Sequence, residues 1–484
     1  MSQNHFDVVI IGAGLSGIAA AYYLQTRCPN KTWTILEARD AIGGTWDLFR
    51  YPGIRSDSDM FTFGYSFRPW SGSRSYAGGE EIRRYLESTA EAYGIDRAIQ
   101  FHRRVEAMRW SSEPGRWTVE TRRTDTGEVE QTTGSFLWVC AGYYRYDAGY
   151  TPELPGLDAF EGERVHPQHW PEDLDWTGKR VLIVGSGATA MTLVPALAKD
   201  AAHVTMLQRT PTWVISRPSQ DPVAQHLGGW LPDATVYELT RWKNILLGIY
   251  FYWASQQRPE DVKRFLLGQI RTALGEDFDV ERHFKPDYKP WDQRVCMVPD
   301  GDLFEAIKSG KASVVTDTID TFTADGVKLR SGAHLPADLV VTATGLQLQW
   351  VGGASVEVDG RPVVAADRMM YRGVMISDVP NAAVTIGYTN ASWTLRCELT
   401  CELVCRTLNH MDAHGYTRCL PRVRGAASTE DSVIDLKAGY IRRAMGLLPK
   451  QGSRAPWRVY QNYVKDLVSL RRSAVEDGAL EFGR

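Results

Sequence analysis

Two glycine-rich turns carry the residues most able to do chemistry. In the first, the apolar run Val8-Val9-Ile10-Ile11 ends at Gly12-Ala13-Gly14-Leu15-Ser16-Gly17, and an acid, Glu37, follows about 25 residues after the turn begins. Gly12 and Gly14 permit a tight strand-to-helix turn and let backbone N–H groups approach a pyrophosphate at a helix N-terminus, while Gly17 lets helix and strand pack closely. Glu37 can accept hydrogen bonds from the two ribose hydroxyls of an unphosphorylated adenosine, which suits FAD. The second turn, Gly185-Ser186-Gly187-Ala188-Thr189-Ala190, follows the run Val181-Leu182-Ile183-Val184. Its next strand ends in Gln208-Arg209-Thr210, with no acid. Losing the carboxylate removes repulsion toward a 2′-phosphate, and Arg209 offers a charge-assisted partner worth about 1.5–3 kcal/mol, so this site is expected to prefer NADPH to NADH.

Each of these turns needs a strand–turn–helix–strand unit to hold it. The expected fold class is α/β, with two Rossmann-like dinucleotide-binding domains. A FAD-binding domain is expected from 1–145 and 340–484, a linker at 146–177, an NADPH-binding domain from 178–217 and 292–339, and a helical insertion at 218–291. The insertion is rich in Trp and Tyr at helical spacing, with little β-branched alternation. The chain has 484 residues, enough for two or three packed units. Hydrophobic residues at 43% and charged residues at 23% describe an ordinary soluble protein. A net charge of −3 argues against nucleic-acid or polyanion partners. No secretory leader is legible ahead of Phe6, and the longest apolar stretch, Ile245 to Ala254, is shorter than the about 20 residues a span needs, so the expectation is a cytoplasmic protein without an integral membrane segment. That stretch is expected to pack as core or helical lid. The seven cysteines include no C-x-x-C, and Cys397, Cys401 and Cys405 recur at helical spacing as small buried residues, so no metal site is expected.

Between the two turns, Phe160, Gly162, His166, Trp170 and Pro171 spell F-x-G-x-x-x-H-x-x-x-W-P. A second signature runs Gly43-Gly44-Thr45-Trp46, then Tyr51-Pro52-Gly53, then Asp57. With these motifs the chain resembles the type I flavin-dependent Baeyer–Villiger monooxygenases, over nearly its whole length and in the subgroup of the ethionamide-activating monooxygenase. The resemblance implies an FAD-containing, NADPH- and O2-dependent enzyme that converts ketones to esters or lactones through a flavin C4a-peroxide and also oxidises sulfides or thioamides. The alternative is an S- or N-oxygenase with a heteroatom substrate. It implies that Arg294 is the cation at the reacting centre and that Asp57 orients it, with Asp59 as competitor for that role. Gly44, Thr45 and Trp46 are implied at the flavin, as are Asn390, Ser392 and Trp393 on its substrate side. His166 is given a linker role, and the A-T-G turn at Ala343-Thr344-Gly345 resembles the crossover from NADPH domain to FAD domain. One departure stands out: many members carry Lys just before the catalytic arginine, and here the residue is Gln293. NADPH selectivity is then expected to rest mainly on Arg209 and Thr210, while Gly185, Gly187, Ala188 and Thr189 are expected among the residues that bind the cofactor.

Overall fold

The computed structural model describes residues 5–71, 74–424, 428–434 and 436–484, so the first four residues read for a leader lie outside the described ones. Two parallel cores organise the chain. The strand His5–Ile11 is buried on both faces from Val8 onward: Val8 and Ile10 pack with helix residues such as Ile18 and Leu24, and Val9 and Ile11 with Trp117, Val119 and Met370. It pairs in parallel with Trp33–Leu36 on one side and Val129–Val139 on the other. An antiparallel meander, Arg103–Ser111, Arg116–Arg123 and Val129–Val139, extends this nine-stranded sheet. Later residues complete it: Ser355–Val358 lies along Arg103–Ser111, and Ala382–Val384 lies along Val129–Val139.

The second sheet has five strands, all parallel, with Arg180–Val184 flanked by His203–Gln208 and Leu339–Thr342 and with Ala312–Thr316 and Glu163–Val165 at the edges. One expected boundary shifts accordingly. Leu339–Thr342 pairs along its whole length with Arg180–Val184, so the chain leaves this sheet after Thr342 rather than at 340. The reason is burial: Leu339, Val340 and Val341 are fully enclosed, and an interior strand cannot be cut in its middle. Within the stretch 146–177, expected as a linker, Glu163–Val165 adds an edge strand to this sheet.

Helices Pro222–Leu227, Asp233–Gln257, Pro259–Leu274 and Val280–Phe284 build the insertion. The stretch Ile245 to Ala254, expected to pack as core or helical lid, is enclosed on one face of its helix only. Ile245 and Ala254 are buried, but Leu246, Leu247, Tyr250 and Trp253 are exposed. Only one face of this 25-residue helix meets the protein, and the apolar run is longer than that face can cover. A buried ion pair holds the helix down: Arg241 donates to Glu398 at 3.1 Å and to the carbonyls of Phe61 and Gly64 at 2.7 and 2.9 Å. Glu398 belongs to the long helix Trp393–His414, whose Cys397, Cys401 and Cys405 form a buried stripe; all seven cysteines are buried and free. Among the described residues no helix is long and apolar enough to cross a membrane.

Candidate active site

One cavity of about 1600 Å³ reaches both glycine turns. That exceeds the ~300–1,000 Å³ of a single small-ligand pocket and suits two extended ligands. At its first end Gly12 has φ +101°, and a Cβ there would lie 2.8 Å from the Cys140 carbonyl oxygen. Gly14 precedes the helix Leu15–Arg27, leaving the helix N-terminus open to the cavity. Gly17 does not line the cavity; its missing Cβ would stand 1.9 Å from the Gly12 carbonyl oxygen, so its part is to close the helix onto the strand. Glu37 is buried at the end of its strand, accepting from Ala13 N at 2.7 Å through one oxygen and from Arg39 N at 2.9 Å through the other. Burial pushes its carboxyl up, against the pull of those two N–H groups and the Arg39 charge. Both oxygens keep a lone pair for a diol. Gly44 lies back to back with Gly14, and Thr45 Oγ1 is 3.4 Å from Tyr146 OH. Trp46 also lines the wall, packing edge-on against Phe63.

The second end repeats the first. Gly185 has φ +131° and a Cβ there would lie 2.3 Å from the Ala343 carbonyl oxygen, whereas nothing lies within 4 Å of a Cβ on Gly187. That open space faces the N-terminus of the helix Ala188–Leu197. Thr189 hydrogen-bonds Tyr51, and a Cβ on Gly53 would meet Ala196 Cβ at 2.7 Å. The Y-P-G motif is therefore the surface by which the first unit seats on this helix. Ala188, Arg209 and Thr210 line the cavity, and Arg209 and Thr210 are exposed, with Ser186 Oγ holding the Thr210 carbonyl at 3.0 Å.

Between the two ends stands Arg294. Its Nε is buried without a hydrogen-bond partner. Burial disfavours the charge, but the oxygens of Tyr143, Tyr440, Tyr144 and Asp57 more than offset it and hold the guanidinium above its usual range. Burial pushes the Tyr440 hydroxyl up to about 12 even though it hydrogen-bonds Arg294. Tyr144, whose hydroxyl burial also pushes up, and Tyr440 thus stay neutral near pH 7, and Asp57 is the carboxyl beside the guanidinium. Burial raises the Asp57 carboxyl, and Arg294 and then Arg55 pull it part of the way back. Asp59 is used differently, as the cap of the helix Met60–Phe63, accepting from Thr62 N at 3.1 Å and from Asn244 Nδ2 at 2.9 Å. That separates two acids the sequence left in competition. Ser392 Oγ and Asn390 Oδ1, both on the cavity wall, are buried and unpaired, while Trp393 donates to Ser16 Oγ at 2.8 Å.

The linker motif lies beside the cavity. His166 Nδ1 accepts from Gln168 N at 3.2 Å, so its Nε2 is the donor to the Gly345 carbonyl, also at 3.2 Å. Burial holds this imidazole below its usual pKa, favouring the neutral form. Gly149 packs flat on the ring, Gly162 on the Asp338 carbonyl, and Trp170 edge-on against Trp176. His169, not His166, reaches the cavity. Tyr143, Tyr144 and Tyr440 were not legible as site residues. Tyr440 comes from the segment Gly439–Ala444, fastened by Lys437 N donating to the Asp292 carbonyl at 2.8 Å, and no local motif announces it.

Two dinucleotide-type folds opening on one cavity with a buried cation between them define a two-nucleotide oxidoreductase architecture. The chain matches the model of the flavin-binding monooxygenase-like family over residues 6–227. It is 51% identical to the FAD-containing monooxygenase EthA of Mycobacterium tuberculosis (strain ATCC 25618 / H37Rv), covering 99% of this chain and 98% of that protein. Against EthA of Mycolicibacterium smegmatis (strain ATCC 700084 / mc(2)155) the identity is again 51%, over 99% and 97%. The chain belongs to this family of FAD-containing monooxygenases. Its fold matches a steroid monooxygenase bound to NADP, with TM-score 0.78 at 24% identity over 99% of this chain and 100% of that one. It also matches cyclohexanone monooxygenase from Rhodococcus sp. Phi1 bound to NADP+, with TM-score 0.75 at 23% identity over 100% of both chains.

Proposed function

We propose that the protein is an FAD-containing, NADPH- and O2-dependent Baeyer–Villiger monooxygenase that turns ketones into esters or lactones and also oxidises sulfides or thioamides. The observation that carries this is Arg294, a guanidinium with an unpaired Nε on the wall of a cavity that both glycine turns share. Bound FAD, once reduced by NADPH, supplies the activation of O2. Glu37 would take the ribose hydroxyls of FAD, and the helix N-termini at Gly14 and Gly187 the two pyrophosphates. Arg294 stabilises the negative charge that grows on the carbonyl oxygen of the ketone as its carbon is attacked. It is suited to this because it stays charged in a dry pocket and offers a planar fork of donors. Asp57 orients the guanidinium and balances its charge. Oxygen-dependent NADPH consumption with a panel of ketones and sulfides, products read by mass spectrometry, tests the proposal. Consumption that yields hydrogen peroxide alone across the panel removes the substrate claim.

A pH dependence follows from Asp57. Burial favours its protonated form, so this carboxyl contributes stability below its unfolded pKa and loses it as pH rises through the raised folded value. The ionised form is the one Arg294 needs. Ester formation is therefore expected to rise with pH through a value above the ordinary carboxylate range, and Asp57→Asn to lose that acid limb along with most turnover. An unchanged limb in the variant would assign it to another group.

A further inference from the structure

We propose that Arg330 is a second ligand to the adenosine 2′-phosphate of the reductant, reaching it from the side opposite the second glycine turn and sharing the selection of phosphorylated over unphosphorylated nucleotide with Arg209. The proposal rests on the reading of the second site as an NADPH site.

Strand pairing brings the two arginines together although they are far apart in sequence. His203–Gln208 and Ala312–Thr316 run in parallel and end side by side at Gln208 and Thr316. Arg209 leaves one strand as Asp317 leaves the other, and Asp317 N donates to the Gln208 carbonyl at 3.0 Å. The chain then forms the hairpin Ile319–Thr323 with Gly326–Leu329, and Arg330 N donates to the Thr318 carbonyl at 2.9 Å. Arg330 thus returns to the same corner of the cavity, whose wall includes Arg209, Thr210, Asp317, Thr318 and Arg330.

The state of the charges there points to an anion. Arg39, Arg55, Arg103 and Arg104, elsewhere on the wall, each hold a carboxylate. Arg209 and Arg330 are exposed, and among the described residues neither has an ion pair or a side-chain hydrogen bond. Asp317 is the obvious quencher, yet its carboxylate is engaged by Thr318 N at 2.6 Å and by Ser331 rather than by either arginine. Two uncommitted guanidinium forks at one strand-end corner form a receptor for a dianionic phosphate, which can accept a bidentate pair from each. The residue before Arg294 is the uncharged Gln293, so that position adds no cation.

Isothermal titration of the flavin-loaded enzyme with 2′,5′-ADP and with ADP separates the 2′-phosphate from the rest of the nucleotide. Arg330→Ala is expected to weaken 2′,5′-ADP binding about tenfold to hundredfold, the span of a lost charged hydrogen bond, and to leave ADP unchanged, which also certifies the fold. Arg330→Lys should recover part of the loss. Arg209→Ala should behave like Arg330→Ala. If Arg209→Ala weakens 2′,5′-ADP and Arg330→Ala does not, the assignment of Arg330 is overturned while the NADPH site stands. If neither does, the NADPH reading of this end falls with it. Loss of ADP binding together with 2′,5′-ADP in Arg330→Ala would move Arg330 to the diphosphate and overturn the proposal. Arg217 and Arg442 also line the cavity without an ion pair among the described residues, and a loss seen in Arg217→Ala or Arg442→Ala but not in Arg330→Ala would do the same in favour of that arginine.

Discussion

Replacing Arg294 by Ala is expected to leave flavin content and NADPH-driven flavin reduction near normal while ester formation falls about 10²–10³-fold, the cost of one preorganised donor at a developing oxyanion, about 2.7–4 kcal/mol. The split between the two half-reactions is the informative part. Arg294 lies between the glycine turns and is not part of either, so hydride delivery has no need of it. Arg294→Lys should recover little, because a point charge on a flexible stem cannot reproduce a planar fork held among Tyr143, Tyr144 and Tyr440. Stopped-flow absorbance for the reductive half and mass spectrometry for the products check both halves. Ester formation at the normal rate in Arg294→Ala would strip the residue of its role. Equal loss of reduction would make it a cofactor-positioning group instead.

The second large effect is expected on stability. Arg241→Met should destabilise the protein by about 3–5 kcal/mol, because Glu398 is left buried with no cation and the carbonyls of Phe61 and Gly64 lose their donor. Ser66, which donates to the other Glu398 oxygen from N at 2.9 Å and from Oγ at 2.7 Å, cannot neutralise the charge. Glu398→Met on the same background should restore a good part of the loss, since removing both partners is far cheaper than removing one. Urea unfolding of the two single variants and the double variant measures the coupling. A loss below about 1 kcal/mol in Arg241→Met would indicate a hydrated, inexpensive pair of the surface kind. The helix that carries Arg241 also presents Asn244, Ile245 and Gly248 to the cavity, so the same variant should raise KM for bulky substrates.

The parts of this molecule that were legible in sequence are those in which neighbours in sequence are also neighbours in space. Gly12, Gly14 and Gly17 declare a turn because strand, turn and helix are consecutive, and Gly185 and Gly187 do so again. The A-T-G turn was legible for the same reason, although its strand belongs to the second sheet to its last residue, Thr342. What stayed hidden depends on distant pairing. Tyr440 reaches Arg294 because Lys437 is tied to Asp292, and nothing local to Gly439–Ala444 records that. Arg330 reaches the corner of Arg209 only through two strand pairings. Asp57 and Asp59 are alternatives on paper, and only the N–H of Thr62 and the amide of Asn244 tell which one is the cap. The outward face of Leu246 to Trp253 was not legible because an apolar run does not state how much of a helix its neighbours can cover.

The two sheets also differ in when they can be finished. All five strands of the second sheet have left the ribosome once Thr342 has, whereas the nine-stranded sheet, although it contains the first strand of the chain, lacks Ser355–Val358 and Ala382–Val384 until much later. At synthesis rates of about 5–20 residues per second this is a delay of a few seconds. During that interval the strands of residues 5–139 have the last part of Val129–Val139 uncovered on the side that Ala382–Val384 will occupy. Birth order and completion order are therefore reversed. The early strands have all their sheet partners only once Val384 has emerged, so a truncation anywhere before Val384 should leave the first glycine turn on an incomplete sheet.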